Sequence, residues 1–191
     1  MPVREMTTAD VGAVAELRVR AWQSAYRDLL PDAFLDAMSV EEDAARRRET
    51  FARTEGTVAN LVTERADGTV TGWAAIGPDR PGGIHTHIRT QDEQGPGECA
   101  ELYAIYVLPG LVGTGLGRAL TAACLEWAAQ RGFTRAVLWV IEGNTRARRF
   151  YERAGFAPDG TQETYDLDGR GTHVPIVRYA RPLPLTGSGA A

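Results

Sequence analysis

At 191 residues, with 43% hydrophobic and 24% charged residues, the chain has the composition of one ordinary globular domain and is too apolar for a disordered or fibrous class. A formal charge of −4 and a pI near 5.4 exclude a general nucleic-acid binder, because contact with a phosphate backbone needs a basic surface, so any anionic ligand must be held locally. No window approaches the ~18 apolar residues that cross a bilayer and no basic-apolar leader is visible, so a cytoplasmic location without membrane partners is expected.

In chain order, residues 3–6 read as a short strand. Thr7 or Thr8 then caps a helix in which Val11, Val14, Leu17 and Ala21 recur at helical spacing, with an end expected near Pro31. Residues 32–38 continue the helical pattern. Ser39 with Glu42 is a capping-box signature for a further helix through Phe51. Two β-prone segments, 57–64 and 69–77, flank Ala66-Asp67-Gly68 and predict an antiparallel hairpin. Residues 78–98 lack periodicity and read as a surface loop. Residues 99–107 form an aromatic and β-branched strand, 109–117 a glycine-rich turn, and a helix follows to Gln130, with Gly132 just past its end. A strand at 135–141 precedes a helix from Asn144 to Arg153 that Gly155 is placed to end. Residues 156–183 return as a hairpin turning at Asp168-Gly169, with 174–179 as its outgoing strand. The expectation is a single domain, 1–185, with a flexible tail at 186–191.

The informative segment is the strand ending at Val107, the glycine run, and the helix it opens. Gly113, Gly115 and Gly117 let backbone N–H groups approach an anion, and the helix N-terminus adds unpaired donors and partial positive charge, so a diphosphate fits. The same glycines are compatible with a tight turn of no further purpose. A Walker A loop is excluded, because Leu116 stands where the phosphate-binding lysine is required. The dinucleotide fingerprint also fails, since its third glycine falls at Arg118.

These residues resemble the GNAT acyltransferases, whose motif is a strand, an Arg/Gln-x-x-Gly-x-Gly/Ala loop and a helix. The motif maps to Val112 through Gly117. A second family signature maps to Asn144, Phe150, Tyr151, Gly155 and Phe156. One departure is Val112, which replaces the usual Arg or Gln and removes a side-chain contact to pyrophosphate. The resemblance covers most of the chain and implies an α/β (α+β) fold: a mixed, mostly antiparallel central sheet flanked by helices, with a splayed parallel strand pair. It further implies acetyl-CoA as cosubstrate. Backbone groups of Val112, Gly113, Thr114, Gly115, Leu116 and Gly117, with Arg118 nearby, would hold the pyrophosphate, and Ile105, Tyr106 and Val107 would face the pantetheine arm. Arg118 reads equally as a solvated helix residue.

Acetyl transfer to an amine needs a neutral nucleophile, a polarised thioester carbonyl and a proton for the departing thiolate. Some relatives place a general base where Glu101 lies, acting directly or through water. A strand-end salt bridge is the structural alternative, and Glu98 is the other candidate base. Tyr151 matches the tyrosine that donates a proton to the coenzyme sulfur. Asn144 either bonds the pantetheine arm, caps its helix, or does both. Cys99 and Cys124 form no CxxC pair and are expected to be reduced and buried, without disulfide or zinc, so direct transfer is preferred over an acyl-cysteine. His85 and His87 lack a third ligand, and no metal is expected.

The resemblance places the acceptor near Trp22, Tyr26, Phe34 and the 78–98 loop. Asp28, Asp32 and Asp36 either favour a cationic amine or form a solvated face. The expected reaction is N-acetylation of a small-molecule or peptide amine. A non-catalytic acyl-CoA sensor, suggested by Val112, is the alternative, and a nucleotide-binding module resting only on the glycine loop is a third. Exposed sheet edges are compatible with a homodimer.

Overall fold

The computed structural model describes residues 2–80, 99–169 and 171–184. The strands are β1 (Val3–Glu5), β2 (Ala59–Glu64), β3 (Val70–Pro78), β4 (Cys99–Val107), β5 (Arg135–Ile141), β6 (Ala157–Asp166) and β7 (His173–Pro182). The helices are α1 (Val11–Ala25), α2 (Asp32–Asp36), α3 (Val40–Arg53), α4 (Leu116–Gln130) and α5 (Thr145–Arg153). Among the described residues, one seven-stranded sheet has the order β1-β2-β3-β4-β5-β7-β6, and it is mostly antiparallel with a parallel β4–β5 pair, the mixed sheet that the resemblance implies. The described residues form two compact units, one within 1–75 and 104–123 and the other within 76–103 and 124–191. No helix among the described residues is long and apolar enough to cross a membrane.

In the first unit, α1 packs on α3, and Val14, Leu17, Leu35, Val62 and Leu120 are buried in the core. Asp10 links β1 to the start of α1. Its carboxylate accepts from the Thr7 N–H (2.7 Å) and from both ends of the Arg4 guanidinium (2.8 and 2.9 Å). Arg4 holds the Asp10 carboxyl well below the usual carboxylate range. α1 stops at Ala25, short of the expected end near Pro31. The N–H groups of Leu29 and Leu30 fold back onto the Tyr26 carbonyl (both 2.9 Å), and the turn buries Leu30. Ser39 caps α3 as its spacing predicts, accepting from the Glu42 N–H at 3.2 Å. The β2–β3 turn closes through Arg65 N–H to Thr69 O (2.9 Å), with Gly68 at φ 82°. Gly72 is required for space. A Cβ there would meet Thr63 Oγ1 at 2.8 Å and Leu120 Cδ1 at 2.9 Å.

In the second unit, β5 pairs with β7 along its whole length, from Arg135↔Pro182 to Ile141↔Ile176, over a core that includes Cys124, Leu138 and Tyr179. β6 and β7 form the expected closing hairpin, with a register shift between Pro158 and Gln162 where Gly160 adopts φ 88°. Of the segment expected as a loop at 78–98, Pro78 ends β3, Asp79 and Arg80 follow it, and the rest lies outside the described residues, as does the expected tail.

Candidate active site

The glycine loop lies wholly in the first unit. The N–H of Leu108 donates to Thr71 O at 3.0 Å, tying the end of β4 to β3 before a 3-10 turn over Pro109–Leu111. Gly113 and Gly115 then take φ of 93° and 95°, a left-handed region that a side chain enters only with strain. Gly115 O accepts from Ala119 N–H (3.0 Å), so α4 opens directly out of the loop and the amides of its first turn have no intrahelical acceptor. Buried Leu116 and Leu120 anchor the inner side of this first turn. Thr114 is bound inward through its N–H and hydroxyl to Leu111 O (3.3 and 2.7 Å), which directs the donor set to its neighbours.

A Cβ built on Gly110, Gly113 or Gly115 meets nothing within 4 Å, so the space beside the loop is open to a ligand. Amides at a helix mouth with open space beside them fit an anionic diphosphate. Val112 is 45% exposed, an exposed apolar side chain where the resemblance leads one to expect Arg or Gln, and Arg118 is exposed on the first turn of α4. Ile105, Tyr106 and Val107 are half-buried in β4. The same unit brings Trp22 and Tyr26 into ring contact (4.9 Å between centroids), with Phe34 6.2 Å and Tyr106 6.4 Å from Trp22. Asp32 and Asp36 are on the surface, where Arg27 pairs with both at 3.3 and 3.2 Å.

In the second unit, the parallel β4–β5 register covers Cys99↔Arg135, Ala100↔Ala136 and Glu101↔Val137. Leu102 and Tyr103 continue β4 past it. Glu101 is only 1% exposed, and Arg80 grips its carboxylate: backbone N–H and Nε donate to Oε2 (3.2 and 2.9 Å), and Nη2 donates to Oε1. Arg80 also lies over the Tyr103 ring, whose hydroxyl donates to Pro78 O. Burial, with the Glu101 charge, raises the Tyr103 phenol well above its usual range. Sequence reasoning missed Arg80 because it placed 78–98 in one featureless loop. Glu98, His85 and His87 lie outside the described residues.

Asn144 is buried and accepts from the Ala147 N–H (3.0 Å) as the cap of α5, which occupies its oxygen and not its amide nitrogen. Tyr151 is half-buried on α5 and meets Phe150 edge-on at 5.3 Å and Phe156 at 6.2 Å. Burial pushes the thiols of Cys99 and Cys124 up to about 12, so neither is a thiolate nucleophile near neutral pH.

A strand, a left-handed glycine loop and a helix beside a mixed sheet are the arrangement that the resemblance to the GNAT acyltransferases implies, and comparison with known proteins agrees. The model of the Acetyltransferase (GNAT) family matches residues 14–156, and the chain belongs to that family. It is similar to the Uncharacterized N-acetyltransferase YuaI of Bacillus subtilis (strain 168), 32% identical over 142 residues, 74% of this chain and 72% of that protein. It also matches the Mycothiol acetyltransferase of Thermobispora bispora at 45% identity over 75 residues, 39% of this chain, spanning only 25% of that relative. Its fold matches the crystal structure of the PaiA N-acetyltransferase from Thermoplasma acidophilum in complex with coenzyme A, with a TM-score of 0.68, 16% identity, and 95% and 98% of the two chains covered. The chain is an acyl-CoA-dependent acetyltransferase with acetyl-CoA as cosubstrate.

Proposed function

We propose that the chain transfers the acetyl group of acetyl-CoA directly to a primary amine of a small molecule or peptide. The observation that carries this reading is the loop with Gly113 and Gly115 both left-handed at the mouth of α4. Amides of Gly113 and of Gly115 through Gly117 hold the pyrophosphate, with Arg118 reaching from the first turn, and the β4 backbone at Ile105–Val107 receives the pantetheine arm. An amide near Tyr106 or Val107 polarises the thioester oxygen, an effect of ~3 kcal/mol for a preorganised donor. The amine nitrogen forms the new bond to the acyl carbon as the carbon–sulfur bond breaks. Tyr151 supplies the proton that the departing sulfur takes up, and Glu101, ion-paired with Arg80, accepts the amine's proton through water. Asn144 bonds the pantetheine arm through its amide nitrogen. The high thiol pKa values at Cys99 and Cys124 support direct transfer.

Val112 favours a second reading, an acyl-CoA sensor without turnover, because its exposed side chain offers no charge to the phosphates. Free-thiol release from acetyl-CoA across a panel of primary amines separates the two. Release with at least one amine is expected. Saturable acetyl-CoA binding with no release above the buffer rate for any amine overturns the enzymatic reading.

A further inference from the structure

Within the first unit, two arginines are driven against aromatic rings. The Arg18 guanidinium carbon lies 4.8 Å from the Trp22 ring centre, and that of Arg47 lies 4.1 Å from the Trp73 ring centre. Both tryptophans pack on Tyr106, at 6.4 and 6.1 Å. One buried acid answers both cations: Asp43 accepts from Arg18 Nη1 at 2.6 Å and from Arg47 Nη2 at 3.0 Å, with the exposed Arg46 a further 3.9 Å partner. Two largely buried positive charges therefore share one negative charge. The Arg47 side chain is only 12% exposed, and burial lowers its pKa, with the attraction of Asp43 opposing that shift.

The donors tell the same story. Arg47 Nε–H and Trp22 Nε1–H are buried without a hydrogen-bond acceptor among the described residues. Trp22 and Tyr26 face the Tyr106 hydroxyl, which burial keeps protonated against the pull of Arg18 and Arg47, yet Trp22 Nε1 reaches no bond of acceptable geometry. A guanidinium N–H is always a donor, and leaving one buried and unmet costs free energy that an anionic acceptor would recover. The groups facing this centre are Arg18 and Trp22 on α1, Tyr26 just past its end, Phe34 on α2, Asp43, Arg46 and Arg47 on α3, Trp73 on β3 and Tyr106 on β4. Asp32 and Asp36, which the sequence offers as attractors of a cationic amine, already have Arg27 as counter-ion on the surface.

We infer that the acceptor is an amine bearing its own carboxylate on an apolar or aromatic body, such as an α-amino acid with that kind of side chain, and that Arg47 and Arg18 hold the carboxylate among these rings. This names the substrate class for the proposed N-acetyltransferase and rests on that reading. The test is thiol release from acetyl-CoA with the wild-type protein, comparing L-phenylalanine and L-leucine with their carboxamides and with phenethylamine. The acids should exceed their amides in kcat/KM by at least ~10-fold, chiefly through KM. In Arg47→Met and in Arg18→Gln the acid-to-amide ratio should fall toward one, with acetyl-CoA affinity measured alongside as a check on folding. The wild-type comparison decides even if neither variant folds. Equal or better turnover of the amides or phenethylamine overturns the inference, as does thiol release confined to cationic amines such as spermidine, and both outcomes leave the N-acetyltransferase reading standing. No release with any amine removes that reading and this inference with it.

Discussion

The glycine loop of the first unit and the β4–α5 residues of the second offer chemistry in different ways. Between Gly113 and Gly117 the groups proposed to face the ligand are backbone amides, so the loop's proposed function resides in a conformation, two left-handed glycines and an open helix mouth. At Glu101, Asn144 and Tyr151 the proposed chemistry belongs to single side chains held by neighbours: an ion pair, a helix cap and two aromatic edges. A site made of conformation is broken by whatever cannot adopt it. A site made of side chains is broken by deleting one atom.

Tyr151→Phe is the sharpest use of that contrast, because it removes a hydroxyl and keeps the ring that packs on Phe150 and Phe156. Steady-state thiol-release kinetics should show kcat lower by ~10²-fold or more, with the acetyl-CoA dissociation constant unchanged within twofold. An unchanged kcat would leave Tyr151 as packing alone. The converse change, Gly115→Glu, attacks conformation: it forces a side chain into φ 95° and places a negative charge beside the proposed phosphate site. Calorimetric titration should show coenzyme A affinity down by ~10²-fold, about 2.7 kcal/mol. Retained affinity would mean that the loop is only a turn.

The same contrast explains what the sequence disclosed. A left-handed backbone demands glycine, so the loop is written locally at Gly113 and Gly115, and the caps at Ser39 and Asn144 are written within three residues of the amides they bind. Strand and helix periodicity likewise placed the elements from β4 to α5. Pairing between distant charges leaves no such trace. Arg80 and Glu101 are 21 residues apart, and Arg18 and Asp43 are 25 apart, so neither the ion pair at the candidate base nor the cationic cluster on the aromatic rings was visible. The end of α1 escaped for a related reason, since its apolar spacing runs on while the turn at Tyr26 is fixed by burying Leu30.

If the loop's function is local, weakening its own unit elsewhere should spare it. Asp10→Asn removes the carboxylate that joins Arg4 to the start of α1. Because Arg4 depresses the folded-state pKa of Asp10, its contribution is fully present above ~4, the unfolded value, and is lost as pH falls through the folded value. Urea unfolding should therefore show the variant less stable by ~2 kcal/mol at pH 7, with the gap to wild type narrowing at pH 3. Coenzyme A affinity at pH 7 should stay within twofold under native conditions. A gap that is constant with pH would deny the ionic origin.

The smallest effect probes the place where the loop departs from its family. Val112 is exposed beside Gly113, in extended backbone at φ −67° that any residue adopts, so Val112→Arg introduces neither strain nor a cavity. What it adds is one mobile guanidinium near the proposed phosphate site, screened by solvent and opposed by side-chain entropy. Coenzyme A should bind about three- to tenfold more tightly at low ionic strength, with the gain fading as salt rises. Dephospho-coenzyme A retains the pyrophosphate and lacks the ribose phosphate, so an equal gain for both ligands assigns the contact to the pyrophosphate. A gain for coenzyme A alone would move Val112 away from the pyrophosphate and weaken the alignment of the motif at its first position.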